Sequence, residues 1–287
     1  MTTPADLTIE ERADATLVVR LLGALAQGAT TERGSDTEVR LLRTCTTTAA
    51  DLGIVDDFVA DCLALFGFYL VERRDDDAVP VLRREIAVRK HLDHSASLVQ
   101  AYGRLSRALE NTEQVAEAVD ALGDGFETAR DGNAPDLAVP LLLDRARILG
   151  TKLGRFGDAM QTLRVAHALT CNIDAGELQQ RVTDSLQAAL TWILRAADAA
   201  EDAGDTDAAA AHYRLVDESA RAVDLCKLAA FAQYNHARML AATLHRPDEA
   251  APRADDAVKL AREEGLDDLL KQARQLVRAI QRDLQGR

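Results

Sequence analysis

His91 and His94 stand three apart in the run HLDH, with Asp93 between them, and two imidazoles one helical turn apart make half of a divalent-metal site. The remaining ligands would have to come from elsewhere. A histidine pair near a helix C-terminus also suits the helix dipole, and that is the simpler reading. Arg73-Arg74-Asp75-Asp76-Asp77 gathers three carboxylates but lacks the glycine and distal glutamate of a calcium loop. At a turn between two helices, acidic residues cap the incoming helix. Glu10-Glu11 and Glu263-Glu264 are pairs in sequence only, because adjacent helical residues point about 100° apart and do not share a proton. Cys45, Cys62, Cys171 and Cys226 show no CxxC spacing and read as small apolar helix residues. Trp192, beside Ile193, reads as a core or seam filler. HExxH, GxxxxGK[ST] and GxSxG are all absent. No residue is therefore assigned to catalysis, to a metal or to a cofactor, and the chain is not read as an enzyme.

The elements that carry these residues are helices. Of 287 residues 47% are hydrophobic but only 4% aromatic, so the apolar content is mostly Ala, Leu and Val in a helix-favouring pattern rather than the aromatic, β-branched runs of a sheet. Apolar residues at three- and four-residue spacing, framed by caps and breakers, predict thirteen helices: 8–27, 36–52, 55–72, 76–92, 95–111, 114–130, 135–152, 156–170, 175–203, 206–223, 225–243, 247–264 and 266–284. Breaks fall at Gly34-Ser35-Asp36, Asp131-Gly132-Asn133-Ala134-Pro135, Cys171-Asn172-Ile173-Asp174, Gly204-Asp205-Thr206 and Arg246-Pro247-Asp248. Connections this short force neighbouring helices into antiparallel hairpins.

Charge narrows the partners. A formal charge of −13 disfavours a nucleic-acid backbone, which is held by clustered Lys and Arg. In TEVRLLRTCTTTAADLG, where a helix-turn-helix would have to hide, Arg40 and Arg43 are the only cations. No run approaches the roughly 20 apolar residues of a membrane span, and MTTPADLTIEERADAT lacks a basic end followed by an apolar stretch, so a cytoplasmic address is expected.

The organising signal is a repeat. Ala78, Ala118, Ala159, Ala209 and Ala250 recur at intervals of 40, 41, 50 and 41, each near the start of the second helix of a hairpin. Four residues on stand Leu82, Leu122, Leu163, Tyr213 and Ala254. The first helices align as Cys62/Leu65/Tyr69, Tyr102/Leu105/Leu109, Leu143/Ala146/Gly150, Ile193/Ala196/Ala200 and Tyr234/Ala237/Ala241. Small residues opposite large ones let two helices approach to about 8–10 Å. The stretch LLLDRARILGTKLGRFGDAMQTLRVAHAL resembles a tetratricopeptide repeat most specifically: Leu143, Ala146 and Gly150, a turn at Gly154-Arg155-Phe156, then Ala159, Leu163 and Ala166. The intervals exceed the family's roughly 34 residues, and longer helices would absorb the difference.

The resemblance implies an all-α fold: a right-handed α-α superhelix, a tetratricopeptide-like solenoid of about six helical hairpins plus a C-terminal capping helix. Residues 1–54 form a degenerate helical pair, 55–264 the repeat array and 265–287 the cap. A HEAT-like or irregular α-α stack is the alternative. In tetratricopeptide proteins the residue before the middle seam position of the first helix lines the concave groove. Here that residue is Arg104, Arg145, Arg195 and His236, and with Arg107, Lys152 and Asn235 the resemblance implies a peptide-binding groove carrying a basic ladder. Its natural ligand is an acidic peptide or C-terminus; internal pairing of these cations with Asp and Glu is the competing expectation. The carboxylate clamp of chaperone-binding relatives also needs asparagine and lysine, which Leu63, Gly67, Gly103 and Asp144 do not supply. The expected function is a protein-protein interaction scaffold or adaptor without catalysis. The alternative is a ligand- or peptide-responsive regulator whose superhelix changes pitch on binding. Oligomeric state stays open at this level.

Overall fold

The computed structural model describes residues 8–28, 34–92, 95–171 and 176–285, with the side chains of 9–12 excepted. Asp93, His94, Asn172, Ile173 and Asp174, and the side chains of Glu10 and Glu11, lie outside the described residues. Among the described residues there are thirteen helices and no strand. They are α1 (Ile9–Gly28), α2 (Asp36–Asp51), α3 (Asp57–Glu72), α4 (Ala78–Leu92), α5 (Ser95–Asn111), α6 (Val115–Asp131), α7 (Pro135–Thr151), α8 (Phe156–Thr170), α9 (Gly176–Asp202), α10 (Thr206–Ala222), α11 (Cys226–Ala242), α12 (Pro247–Glu263) and α13 (Asp267–Gln285). Every boundary falls within two residues of the expectation.

Local chemistry explains the ends. Ser35, Asp56 and Asp205 accept hydrogen bonds from the backbone N–H of Glu38, Val59 and Ala208, satisfying donors that a helix start leaves free. The C-termini close with left-handed residues. Arg74, Glu113, Gly154, Gly204 and His245 all have φ between 52° and 79° and stand four or five residues before the seam alanines. After each, a backbone N–H turns back onto the closing helix: Asp75 onto Leu70, Gln114 onto Leu109, Arg155 onto Leu149, Asp205 onto Ala200 and Arg246 onto Leu240, at 2.8–2.9 Å. The repeat is therefore written in the turns as well as in the seam.

Two compact units divide the chain, residues 1–148 and 149–287, with the boundary inside α7. In each, helices pack against their neighbours in chain order, the arrangement of a tetratricopeptide-like helical repeat. First helices of successive hairpins also touch, α3 with α5 in the first unit and α9 with α11 in the second. The second-helix side of the seam is as the residues predict, whereas Leu65, Leu143, Ala196, Ala200, Tyr234 and Ala241 of the first helices are only half-buried. Ala78 and Ala118 in the first unit, and Ala159, Ala209 and Ala250 in the second, are at most 2% exposed, as are Leu82, Leu122, Leu163 and Tyr213. Trp192 is half-buried beside Gly150, where a Cβ would stand 3.9 Å from its ring and 3.7 Å from Ala159. A close approach is at Gly125 of α6, where a Cβ would lie 2.8 Å from Leu141 and 2.9 Å from Tyr102. Only glycine lets α5, α6 and α7 meet there.

Candidate functional site

In the first unit, Arg104 and Arg107 lie one turn apart on α5, and Arg145 projects from α7. Arg104 is committed internally: its Nη2 donates to Oε1 of Glu85, on α4, at 2.5 Å. Glu85 is wholly buried and also accepts from Nε of Arg89 at 2.7 Å, so one carboxylate serves two guanidinium groups. Arg145 differs. No carboxylate or other acceptor pairs with it among the described residues, its Nε is buried without a hydrogen-bond partner, and its guanidinium rests over Gly123 of α6. A Cβ at Gly123 would stand 3.8 Å from its Cζ.

The repeat register explains the contrast. Glu85 follows the seam residue Leu82 by three positions, and three positions after Leu122 stands Gly125. The acid that neutralises Arg104 thus has no counterpart for Arg145. Arg107 is exposed and likewise has no ion-pair partner among the described residues. The ladder is half quenched in this unit, and the competing expectation of internal pairing describes Arg104 but not Arg145.

In the second unit, Lys152 and Arg195 are exposed and have no ion-pair partner among the described residues, and Asn235 is half-buried. His236 departs from the expectation of a cation. It is 4% exposed, stacks on Tyr213 of α10, and burial pushes its pKa down to about 4, aided by Arg253 and Arg214. A desolvated imidazole beside positive charge stays neutral near pH 7. His236 is a core residue that sequence offset alone does not separate from a groove residue.

The structure also reveals a device the sequence reading missed. Arg147 of α7 clasps Glu110 of α5 through Nη1 and Nη2 at 3.0 and 2.6 Å, and Arg238 of α11 reaches Glu201 of α9 at 2.8 Å. In both, acid and base are 37 residues apart. Each pair links the first helices of consecutive hairpins. The signal was present: both residues of the first pair recur 91 residues later, the interval from Ala118 to Ala209.

The acidic run at 75–77 is a turn device, as expected of a cap. Asp77 N–H donates to Asp75 Oδ1 at 2.9 Å, and the Asp77 carboxylate pairs with Arg43 at 3.0 Å. A cleft of about 780 Å³ is lined by Gln27 of α1, Glu38 of α2, Leu65, Phe68 and Glu72 of α3, and Arg73. Two of its lining residues are joined by the buried bond from the Tyr69 hydroxyl to Glu38 Oε1 at 2.9 Å, and Arg73 is held by Asp36 at 2.8 Å. No helix among the described residues is long and apolar enough to cross a membrane.

No protein-family model matches the chain, and no curated protein matches it in sequence. Among solved structures it is similar to the apo form of RapI, at 11% identity over 96% of this chain and 100% of that one, with a TM-score of 0.48. It is also similar to the nearly identical TPR-like repeats of a Podosopora anserina kinesin light chain, at 16% identity over 75% and 99% of the two chains and a TM-score of 0.44. A third is aspartyl phosphate phosphatase F of Bacillus subtilis, at 12% identity over 96% and 72% and a TM-score of 0.44.

Proposed function

We propose that this chain is a protein-interaction adaptor that holds an acidic peptide segment of a partner against the α5–α7 face of its first unit, with no bond made or broken. The observation that carries the reading is Arg145: a guanidinium in a strongly acidic chain, left without a carboxylate where the preceding repeat supplies Glu85. An Arg fork that is already desolvated at Nε and laid over a glycine loses little freedom when a carboxylate arrives, so complementary charge adds affinity at low ordering cost. Arg107 extends the same charge toward solvent. Lys152 and Arg195 are the cations the second unit offers to a similar ligand, and His236 is not among them.

Co-purification of partners on the immobilised full chain, followed by Arg145→Glu, tests the reading. Partner recovery falls at least tenfold if the carboxylate is held there, and Arg195→Glu reports separately on the second unit. Undiminished recovery with Arg145→Glu removes this face from the argument.

A further inference from the structure

The first helix presents an apolar face that none of the described residues covers. Val19, Gly23 and Ala26 of α1 are buried: the Val19 carbonyl accepts from the Cys45 thiol, and Gly23 sits against Phe58 and Cys62. On the opposite face Leu17, Val18, Leu21 and Leu25 are 49–57% exposed, with Ala24 and Gly28 exposed between and beyond them. These are four of the eight large apolar side chains that are exposed among the described residues, so the cluster is no scatter of single leucines. α13 makes the contrast. α13 buries Leu269, Ala273 and Ile280 and exposes Lys271, Arg274, Arg278 and Arg282, the polar outer face that keeps a repeat end soluble.

We propose that this face of α1 pairs with the same face of a second copy of the chain, as two antiparallel helices related by a two-fold axis at Leu21. The stripe is its own complement. Leu17 and Leu25 lie four residues to either side of Leu21, and Val18 and Ala24 three, so reversing the helix about Leu21 sets leucine on leucine and Val18 on Ala24. Helix dipoles oppose favourably in that arrangement. Charge selects the same surface. Two copies carrying −13 each repel over most of their exteriors, but residues 15–28 contain no acid, and their one charged side chain, Arg20, is turned toward Asp56 at 3.6 Å. The stripe offers on the order of 400 Å² per copy, about 800 Å² for the pair, which is less than a stable dimer buries and fits a weak, transient one. The outcome is a dimer in exchange with monomer at micromolar concentration. The inference does not depend on the peptide-holding role.

Sedimentation equilibrium of the full chain, from about 1 to about 200 µM, reads it directly. The expected mass rises from 31.1 kDa toward twice that value with concentration. Leu21→Arg sets two like charges together on the axis and holds the protein monomeric throughout. Leu17→Ala with Leu25→Ala trims only exposed side chains and weakens the dimer at least tenfold, so the test stands even if Leu21→Arg misfolds. Leu153→Arg, at an exposed leucine elsewhere, leaves the dimer intact. A wild type that stays at 31.1 kDa, or one that remains monomeric while floating with anionic vesicles, overturns the proposal. So does a dimer indifferent to both α1 variants.

Discussion

The imidazole of His236 on α11 lies against the ring of Tyr213 on α10, with centroids 5.9 Å apart and planes 28° from parallel. The Tyr213 hydroxyl donates to Asp198 Oδ1 at 2.7 Å, with Glu201 Oε2 3.1 Å away as a second acceptor, both on α9. Burial, then these carboxylates, push the phenol up, and burial pushes the imidazole down. Two aromatic rings therefore join three helices of the second unit, and both are neutral at pH 7.

Stability in acid follows from the sign of the His236 shift. Its pKa is about 4 in the folded chain against 6.5 unperturbed, so between those values the unfolded chain binds the extra proton and stability rises with pH. The contribution is complete above pH 6.5 and is lost as pH falls toward 4, on the order of 2–3 kcal/mol. His236→Phe keeps a ring against Tyr213 and removes the titration. Urea unfolding at pH 4, 5, 6 and 7 is expected to show a flatter profile for the variant; identical slopes would mean that His236 is not a buried neutral base.

Glu85 is the keystone of the first unit's polar interior. It is fully buried, and its Oε1 accepts from Arg89 and Arg104, while Arg89 reaches Asp61 at 3.1 Å. Glu85→Gln keeps the shape but leaves Arg104 without its anion and Arg89 with Asp61 alone, at a cost of about 3–5 kcal/mol. Arg83→Gln, which breaks the exposed pair with Glu117, costs less than about 1 kcal/mol. Comparison of urea midpoints at unchanged m-value checks the difference.

Glu113 holds a left-handed conformation, φ 61°, at the end of α5, where the equivalent turns after α7 and α9 carry Gly154 and Gly204. It is exposed. Glu113→Gly removes the clash of Cβ with the backbone and is expected to stabilise the chain by about 0.5–1 kcal/mol, a few degrees in Tm. Glu113→Val, which stiffens the wrong region, is expected to lower Tm.

The helices were legible because their information is local: caps, breakers and spacing sit within a few residues. The seam was legible because five alanines repeat it. The ladder was only half legible. Arg104 and Arg145 share a sequence offset, and what separates them is whether the preceding helix brings Glu85 or Gly125 to that height, a contact roughly 20 residues back in the chain. His236 shares the offset too, yet it is drawn inward by Tyr213, which stands where Leu82 and Leu122 do in other repeats. The pairs Glu110–Arg147 and Glu201–Arg238 escaped because charges read as solvated surface until two hairpins are placed side by side.

The cysteines give a further check, on the contact of α1, α2 and α3. The Cys45 thiol donates to the Val19 carbonyl at 3.3 Å, and Cys62 hydrogen-bonds to Cys45. That bond, then burial, push the Cys62 thiol up, while Cys45 is drawn down chiefly by the same bond. Acidity alone would make Cys45 the reactive thiol, because thiolate is the nucleophile. Access decides otherwise, since Cys45 and Cys62 are both fully buried whereas Cys171 is exposed and Cys226 half-buried. An aromatic disulfide reagent added to the folded chain should therefore modify Cys171 rapidly and Cys226 more slowly, and reach Cys45 and Cys62 only in urea. Rapid loss of all four thiols in the absence of denaturant would show that α1 does not seal this cluster, and the apolar face on its far side would then lose its footing.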